Sequence, residues 1–558
     1  MPTSPPTLAV YVIQRLADLG LDKVFGVPGD YSFPIDDAVE TVPGVDWVVS
    51  ANELNAAYAA DGYARLKGAA ILTVTYGVGE LSALNGVMGA KAHRLPVFVV
   101  VGEPSTRIQR SGLVTHHTLG DGVYGNFFAL SSAAAGASAQ LTPQNAVQEV
   151  ERVISEALRL SMPGYFLIPE DLAGLPIIGE PVKGRPLSEL TAVRSDPQEL
   201  KAALAALGQV LAPATRVVAL PTFLVARYGA VPELEAFLAQ TGVSFATLPM
   251  DKGILDESHP AYLGMYNGRA STPGVQAWVE EADVVLDLGG VILEDLNSAS
   301  WSSDLSRTRH VVIGPDFVKV GAKVFVQTAL RDVLAGLASV CPVFEGAPTR
   351  PRPALLPASG APTDAILNQS FYPRLQAMLR PRDLLVCETG GCNVHLPGML
   401  LPEGVGYAAD TLWGAIGWGT PAVLGLALGD ASRRVVLVTG DGAHQISANE
   451  LGVMGRYGVK PVIFVLNNGV YGIEIVLSET GHGYDDLAPW RYAELPYAMG
   501  CDRWLSKVVR TVDELDQAIA QLQTWDGAAY IEVVIPASES VPQPHAVEDN
   551  TYKLDTPS

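Results

Sequence analysis

The chain has 558 residues, which is too long for a single hydrophobic core and favours about three domains. Its formal net charge of −22 argues against nucleic acid or an anionic membrane surface as a partner. The four cysteines include no C-x-x-C pair, which indicates free thiols. We see no apolar run of membrane-spanning length and no secretory signal pattern, so we expect a cytoplasmic protein.

Short, continuously apolar segments alternate with longer helical patterns along the chain. Such segments are typical of strands that are buried on both faces, as in parallel sheets. Because strands and helices alternate, we predict an α/β fold of three doubly wound parallel-sheet domains. The predicted strands are AAILTVTYG, PVFVVVGEP, GYFLIPED, TRVVAL, ADVVLDLGG, RHVVIGPD, DLLVCETG, RRVVLVTGDG, PVIFVLNNG and AAYIEVVIP.

Two stretches rich in proline and glycine interrupt this alternation. The first is IIGEPVKGRPLSEL, around residues 177–190, and the second is FEGAPTRPRPALLPASGAPTD, residues 344–364. Proline-rich composition favours an extended linker over a packed element. We therefore predict domains over residues 1–180, 190–343 and 365–558, with 344–364 as a linker.

Two acidic residues follow predicted strands in the first segment. In KVFGVPGDYSFPI, a strand runs into a loop that carries Asp30, which by itself is an ordinary turn residue. In SANELNAAYAADGYAR, Glu53 follows the strand-like DWVVS and opens a helix whose small residues allow close packing. A carboxylate in the first helical turn also stabilises the helix dipole, so Glu53 alone has a structural explanation.

The loop GLVTHHTLGDG places His116 and His117 side by side. Neighbouring side chains point to opposite faces of a strand and lie about 100° apart on a helix. The two histidines are therefore not expected to do the same job twice. Ordinary surface polarity is sufficient to explain an isolated pair of this kind.

The third segment carries the most specific pattern, TGDGAHQISANELGVMGRYGVKPVIFVLNNGVYGIE. One predicted strand ends just before Asp441, and the next ends at an asparagine pair that includes Asn468. Neighbouring parallel strands end at the same edge of a sheet, so these two oxygen-bearing side chains are expected to meet. Together with the peptide carbonyl near Val470, they form a candidate site for a hard cation of the Mg²⁺ type.

Glycines on either side of Asp441 favour an anion at the same edge. Gly440 and Gly442 leave room for a diphosphate to approach the backbone. A helix is predicted from Ala443, and its N-terminus offers free N–H groups and a favourable dipole. The alternative interpretation is an ordinary glycine-rich turn beside an unrelated asparagine pair.

GDG followed by a helix, a strand and NN resembles the binding signature of thiamin diphosphate (ThDP) enzymes. Asp30, Glu53, the pair His116-His117 and Glu474 together match one branch of that superfamily. This branch contains the decarboxylases of pyruvate, indolepyruvate, phenylpyruvate and branched-chain 2-oxo acids. The resemblance covers the whole chain in length, domain order and motif order. It implies ThDP- and Mg²⁺-dependent, non-oxidative decarboxylation of a 2-oxo acid to an aldehyde and CO₂.

The resemblance also implies a role for each domain. Residues 1–180 would bind the pyrimidine of the cofactor, and residues 365–558 would bind its diphosphate. Residues 190–343 form a middle domain, in which we find no glycine-rich phosphate loop, although some relatives bind a nucleotide there. Active sites in the superfamily form between two chains, so we expect a homodimer, commonly paired into a homotetramer.

Five residues are catalytic by the same resemblance. The glutamate that matches Glu53 bonds the pyrimidine and promotes loss of the reactive proton of ThDP. Asp30 works with His116 and His117, which help to protonate the carbon that CO₂ has left. Imidazoles suit this task at neutral pH. Glu474 matches a glutamate that, in the family, lies near the substrate carboxylate and takes part in proton transfer.

The segment WGAIGWGTPAVLGLALG aligns with the part of the family that holds the pyrimidine. Gly414 matches the residue whose carbonyl receives the 4′-amino group. Ile416 matches the aliphatic residue that wedges ThDP into a bent shape, although ordinary core packing also explains it. The cofactor-binding residues implied by the resemblance are Glu53, Gly414, Ile416, Gly440, Asp441, Gly442, Ala443 and Asn468.

Two departures from pyruvate-selective members concern the substrate pocket. ETGGCNVH has Cys392-Asn393 where such members often have Ser-Trp, and VILEDLN has Leu296 where a tyrosine often stands. Both changes widen the pocket or make it less polar, so we expect larger 2-oxo acids, aromatic or long or branched aliphatic. The residues expected around the substrate are Leu296, Thr389, Asn393, Ile473 and Leu477.

Two other functions are considered. A carboligase of the acetolactate synthase type shares the fold and Glu53, but it generally lacks the histidine pair and Glu474. A non-catalytic ThDP-fold binding protein is expected to lose Glu53 or the metal ligands. All of these residues are present, which favours the decarboxylase.

Overall fold

The computed structural model describes residues 5–184, 186–187, 193–292, 302–345, 350–478 and 481–539. Over these residues the chain forms three β-sheets of six, seven and six strands, and helices connect most of the strands. Every apolar segment listed above contains a strand. The predicted α/β fold with three parallel-dominated, doubly wound sheets is therefore confirmed.

The first sheet is parallel throughout. Its two central strands are buried along their whole length, as expected for strands that are covered on both faces. From edge to edge, the strands are Asp46–Val49, Lys23–Gly26, Ala70–Thr75, Val97–Glu103, Gly164–Pro169 and Ala137–Gln140.

The second sheet departs from the purely parallel prediction at one edge. Two strands pair antiparallel there, in a hairpin that turns at Gly321. Their side chains are largely exposed, so they lack the continuous apolar run that marks a buried strand. From edge to edge, the strands are Lys323–Val326, Phe317–Val320, Arg309–Ile313, Val284–Leu288, Val217–Pro221, Ser244–Thr247 and Tyr262–Met265.

The third sheet is again parallel, and its register places two functional loops side by side. Gly440, the last residue of one strand, pairs with Leu466 of the next, so Asp441 and Asn468 follow neighbouring strand ends. From edge to edge, the strands are Gly406–Ala409, Leu384–Cys387, Val435–Gly440, Val462–Asn467, Ala529–Val534 and Leu505–Val509.

The helices of the described residues are mostly short, and none of them is both long enough and apolar enough to cross a membrane. Their bounds are Leu8–Ala17, Phe33–Thr41, Glu53–Lys67, Val78–Ala92, Thr106–Ser111, Asn126–Ala134, Ala146–Leu160, Glu170–Ala173, Pro197–Leu211, Phe223–Arg227, Val231–Thr241, Val275–Glu280, Leu330–Leu337, Asn368–Met378, Cys392–His395, Gly419–Gly429, Asp441–Ser447, Glu450–Arg456, Gly472–Ser478, Leu495–Ala498 and Val512–Thr524.

The chain divides into two compact units, and the first contains more than the N-terminal sheet. Residues 420–432 and 447–459 belong to the same unit as that sheet. Glycines let the helix that begins at Glu53 approach this added segment closely. A Cβ at Gly62 would collide with the carbonyl of Ala422, and one at Gly425 would collide with the carbonyl of Ala59. The close packing predicted for this small-residue helix is thus observed.

A buried ion pair in the second unit connects residues 252–257 with the backbone of residues 399–401. Lys252 Nζ lies 2.6 Å from Glu257 Oε1 and donates to the carbonyl of Met399 at 2.7 Å. The other carboxylate oxygen of Glu257 accepts the Leu401 N–H at 2.9 Å. Both charged side chains are 1% exposed. The pair therefore fixes the segment that follows the short helix Cys392–His395.

We expect Lys252→Met to lower the free energy of unfolding by about 3–5 kcal/mol, because the substitution leaves the Glu257 carboxylate buried without its partner. Urea denaturation of the purified protein measures this loss. The matched control is Arg331→Met, which breaks the Arg331–Glu233 pair, in which Arg331 is 64% exposed. There we expect a loss of about 1 kcal/mol or less. Equal losses for the two variants would contradict the structural role of the buried pair.

Candidate functional site

The first unit brings together three residues of the predicted catalytic set. Asp30 opens a short 3₁₀ turn, Asp30–Ser32, just after the first strand. Its Oδ2 lies 2.6 Å from His116 Nε2, and its Oδ1 lies 3.8 Å from His117 Nε2. The two imidazole ring centroids are 4.5 Å apart. One carboxylate thus faces both histidines.

The neighbouring histidines converge because of the backbone of His117. Its φ is 60°, in the left-handed region that non-glycine residues rarely adopt. An extended or helical backbone would instead direct adjacent side chains apart. The carbonyl of His117 packs closely against Gly77, where a Cβ would collide with it. This backbone conformation therefore brings both imidazole rings beside Asp30. The sequence alone does not reveal this arrangement.

Tyr31 also belongs to this site, although the sequence analysis missed it. The signal was available, because Tyr31 follows Asp30 directly in GDY. Its ring stacks on that of His116, with centroids 4.8 Å apart and planes 11° apart. Its hydroxyl lies 3.4 Å from His116 Nδ1. Tyr31 is held in a buried aromatic cluster with Tyr76, Tyr124 and Phe127.

Glu53 is half-buried at the start of its helix, as predicted. The preceding Asn52 caps the helix, since its Oδ1 accepts the Asn55 N–H at 2.8 Å. Asn55 Nδ2 donates to the Glu450 carboxylate at 2.9 Å, which fixes this turn further. A Cβ at Gly79 would lie 3.5 Å from Glu53 Oε1. The absence of a side chain there leaves space beside the carboxylate.

The second unit contains an open cavity at the carboxyl edge of the third sheet. It gathers most of the residues that the sequence assigned to the cofactor, the metal and the substrate. None of the described residues that line it is a lysine or an arginine. The predicted residues in its wall are Thr389, Ile416, Gly440, Asp441, Gly442, Ala443, Asn468, Val470, Ile473 and Glu474.

Asp441 is buried, and its carboxylate accepts two backbone N–H groups. Oδ1 accepts that of Gly442 at 3.0 Å, and Oδ2 accepts that of Gly469 at 2.8 Å. Burial raises the pKa of Asp441 to about 6, although these hydrogen bonds act in the opposite direction. Asn468 Oδ1 accepts the Val470 N–H at 3.3 Å in the same wall. These residues supply carboxylate, amide and carbonyl oxygens, which are ligands suited to a hard cation.

The two glycines beside Asp441 have different roles. No atom lies within 4 Å of the position that a Cβ would occupy at Gly440, so that side is open. At Gly442 a Cβ would lie 2.5 Å from the ring of Tyr471, so the space that we expected to be free holds an aromatic ring. The helix also begins at Asp441, two residues before Ala443, where it was predicted.

Glu388 is a fully buried carboxyl group at the same edge, and the sequence analysis did not single it out. Its oxygens accept the N–H groups of Thr389 and Gly419, each at 2.9 Å. Burial raises its pKa to about 8. These bonds hold one end of the segment that places Ile416 in the cavity wall. Gly414 lies in a turn of that segment, with φ 71°, and is not among the described lining residues.

The placement of Asn393 differs from the prediction. Asn393 is buried and its Oδ1 accepts the Cys387 thiol at 3.0 Å, while Cys392 and His395 line the cavity instead. In the helix Cys392–His395, residues three apart share a face, and the intervening side chain is turned away from it. A helical spacing applied to this stretch would have predicted that Cys392 and His395 face the cavity together. Ring stacking at 4.8 Å joins His395 to Tyr372.

Two residues predicted to line the substrate pocket fall on parts of the chain that are not described. Leu296 lies outside the described residues. Leu477 belongs to the helix Gly472–Ser478, but its side chain lies outside the described part. Glu474, on the same helix, is exposed and lines the cavity.

Comparisons with known families agree with this site. Residues 6–125 match the N-terminal TPP binding domain of thiamine pyrophosphate enzymes, where thiamine pyrophosphate is a synonym of ThDP. Residues 204–337 match the central domain of these enzymes. Residues 391–533 match their C-terminal TPP binding domain.

Three named relatives match nearly the whole chain. A protein of Mycobacterium leprae named alpha-keto-acid decarboxylase is 38% identical over 541 residues, which cover 95% of this chain and 93% of the relative. Proteins of the same name from Mycolicibacterium paratuberculosis and Mycobacterium tuberculosis are each 37% identical and cover 96% of this chain. They cover 94% and 95% of the relatives, respectively.

The raised pKa of Glu388 gives a testable pH dependence. With a pKa of about 8 when folded, against an ordinary value of about 4.5, Glu388 keeps a proton in the folded state that the unfolded chain releases. Its contribution to stability is therefore complete below about pH 4.5 and is lost as the pH rises to about 8, at up to about 1.4 kcal/mol per pH unit. We expect Glu388→Gln to remove this slope.

Thermal unfolding of both proteins across this pH range measures the difference. The loss of stability caused by Glu388→Gln should shrink as the pH rises. Glu494→Gln is the matched control, because Glu494 is 68% exposed and its substitution should leave the slope as in the wild type. Parallel curves for the wild type and Glu388→Gln would contradict the raised pKa.

Proposed function

Because the chain belongs to the ThDP-dependent 2-oxo acid decarboxylases, we propose that it acts with Mg²⁺ on larger 2-oxo acids, aromatic or long or branched aliphatic. The observation that carries this preference is the cavity wall at Thr389, Gly390, Gly391 and Cys392. These are small side chains, and the side chain of the next residue, Asn393, is turned away from the cavity against Cys387. A wall of small side chains leaves room for a larger substituent.

The cavity fits the diphosphate end of the cofactor. ThDP, when bound, supplies the nucleophilic carbon and the electron sink for loss of CO₂. Gly440 leaves the backbone open to a bulky anion, and the helix that starts at Asp441 directs N–H groups toward this edge. Ile416 supplies an aliphatic surface in the same wall.

The charges of this wall support the proposal of magnesium. A diphosphate needs positive charge, and no lysine or arginine occurs among the described lining residues. Asp441, Asn468 and the carbonyl of Val470 would hold a Mg²⁺ ion that supplies it. A cation would also stabilise the ionised form of the buried Asp441 carboxylate, whose pKa is otherwise raised.

Proton transfer is the task of the residues that surround the substrate. Asp30 accepts a hydrogen bond from His116 Nε2 when that nitrogen is protonated, and so holds the proton and the orientation of the ring. His117 Nε2 lies near the other carboxylate oxygen. Glu53 would bond the pyrimidine ring, and Glu474 would hold a proton near the substrate carboxylate.

We further propose that each active site forms between two chains of a homodimer or homotetramer. Supporting this, the loop that carries the histidine pair exposes apolar side chains that are suited to burial by a partner. Leu113, Val114, Leu119 and Val123 are each at least 50% exposed. The proposed compartment is the cytoplasm, and the four free, buried cysteines fit a reducing environment.

The decisive assay measures aldehyde formation coupled to alcohol dehydrogenase, with ThDP and Mg²⁺ present. We expect phenylpyruvate, indolepyruvate or 2-oxoisovalerate to exceed pyruvate in kcat/KM. Glu53→Gln should abolish turnover of all four substrates. A tenfold preference for pyruvate would refute the proposed specificity. A new carbon–carbon bond in place of free aldehyde would identify the carboligase alternative.

The asparagine pair offers a matched control for the metal. Asn468→Ala should weaken Mg²⁺-dependent retention of ThDP at least about tenfold, because it removes an oxygen ligand. Asn467→Ala should leave retention nearly unchanged, because Asn467 Nδ2 donates to Glu532 at 2.8 Å instead. Equilibrium dialysis with ThDP measures both. Equal effects would contradict the assignment of the ligand.

Complementation tests the composite site. We expect Glu53→Gln and Glu474→Gln, each inactive alone, to recover about a quarter of wild-type activity when the two chains are coexpressed, since mixed dimers then contain one intact site. Coexpression of Glu53→Gln with Asp30→Asn should recover nothing, because both defects lie in the first unit. Recovery in neither experiment would mean that one chain supplies the whole site.

A further inference from the structure

We propose that Asp30, His116 and His117 form a site for a divalent transition metal ion, of which Zn²⁺ is the best example, and that its occupancy inhibits the enzyme. Each residue offers one ligand atom, and these atoms all lie within 4.8 Å of one another. Two imidazoles and one carboxylate are a ligand set that zinc uses in proteins.

The distances match a metal-binding arrangement after a small adjustment. Tetrahedral zinc with ligands at about 2.0–2.1 Å separates neighbouring ligand atoms by roughly 3.3 Å. His116 Nε2 lies 2.6 Å from Asp30 Oδ2 and His117 Nε2 lies 3.8 Å from Asp30 Oδ1, and one ligand atom from each residue lies within 4.8 Å of the other two. Entry of the ion displaces the proton between Asp30 and His116 Nε2, to the other ring nitrogen or to solvent, and replaces this hydrogen bond with two metal–ligand bonds. Closing separations of up to 4.8 Å to this spacing takes roughly 1.5 Å of side-chain movement at a loop.

The site is already organised without an ion. The left-handed backbone of His117 brings the two imidazoles to the same side, and the stacked ring of Tyr31 fixes His116. The side chains of Asp30, His116 and His117 are 44%, 56% and 30% exposed. Three protein ligands with access to solvent leave a fourth position for water, as in open zinc sites.

Ligand chemistry separates this site from the oxygen-lined one. Imidazole nitrogens favour Zn²⁺, Co²⁺, Ni²⁺ and Cu²⁺, whereas the Asp441 and Asn468 oxygens favour Mg²⁺. Millimolar Mg²⁺ therefore should not displace zinc from the histidines. A bound transition metal would occupy the imidazole lone pairs that the proposed mechanism uses for proton transfer, so inhibition rests on that proposed function, whereas binding does not.

Isothermal titration of Zn²⁺ into the ThDP- and Mg²⁺-saturated wild type tests binding independently of activity. We expect one zinc ion per chain with a dissociation constant of about 10 μM or lower. His116→Asn and His117→Asn should each raise it by at least about tenfold. Co²⁺ added to the wild type should give the intense visible absorption of a four-coordinate site, which does not depend on how any variant folds.

The matched control is His310→Asn. His310 Nε2 also lies near a carboxylate, 3.5 Å from Asp287 Oδ2, so its loss tests a single histidine–carboxylate pair. Zinc binding should be unchanged in this variant. Binding weaker than about 1 mM, or binding equally reduced in all three variants, would overturn the site. Binding without loss of aldehyde formation would overturn only the inhibition and would leave the decarboxylase assignment intact.

Discussion

Parallel strands place their carboxyl ends at one edge of a sheet, and the candidate functional groups depend on this constraint. In the first sheet, Asp30 and Glu53 each follow one of two hydrogen-bonded strands. In the third sheet, Glu388, Asp441 and Asn468 follow three consecutive strands across the sheet. Polar side chains from distant parts of the chain thus lie at one edge of each sheet, whereas His116 and His117 reach Asp30 from the loop between Ser111 and Asn126.

The same edge makes several carboxyl groups difficult to ionise. Strand ends are buried by the surrounding helices, and burial raises the pKa of Glu388 to about 8 and that of Asp441 to about 6. Backbone N–H groups partly offset this cost at both residues. Asp441 and Glu388 therefore differ in the partners that surround their carboxyl groups. Asp441 faces a cavity in which a cation can pair with it, whereas the hydrogen bonds described for Glu388 come from the backbone N–H groups of Thr389 and Gly419.

The sequence predicted the features that follow from periodicity and from neighbouring strands. The buried strands, the helix at Glu53 and the position of Asp441 and Asn468 after neighbouring strands all belong to this group. The edge hairpin at Gly321 was missed because exposed strands carry no apolar run. Asn393 was assigned to the pocket from its position in ETGGCNVH. In the structure, the helix Cys392–His395 directs its side chain away from the cavity. Leu296 and the side chain of Leu477 lie outside the described residues, so that part of the pocket stays a prediction.

The convergence of His116 and His117 could not be predicted, because it depends on one backbone angle. Among the described non-glycine residues with positive φ, His117 is the one that belongs to the candidate site. A left-handed conformation costs a residue with a Cβ roughly 1–2 kcal/mol. The surrounding structure holds it, through the close contact of its carbonyl with Gly77 and the stacking of Tyr31 on His116. The strained backbone at His117 keeps both rings facing Asp30. Such an arrangement suits a site in which two adjacent imidazoles serve one reacting centre or one metal ion.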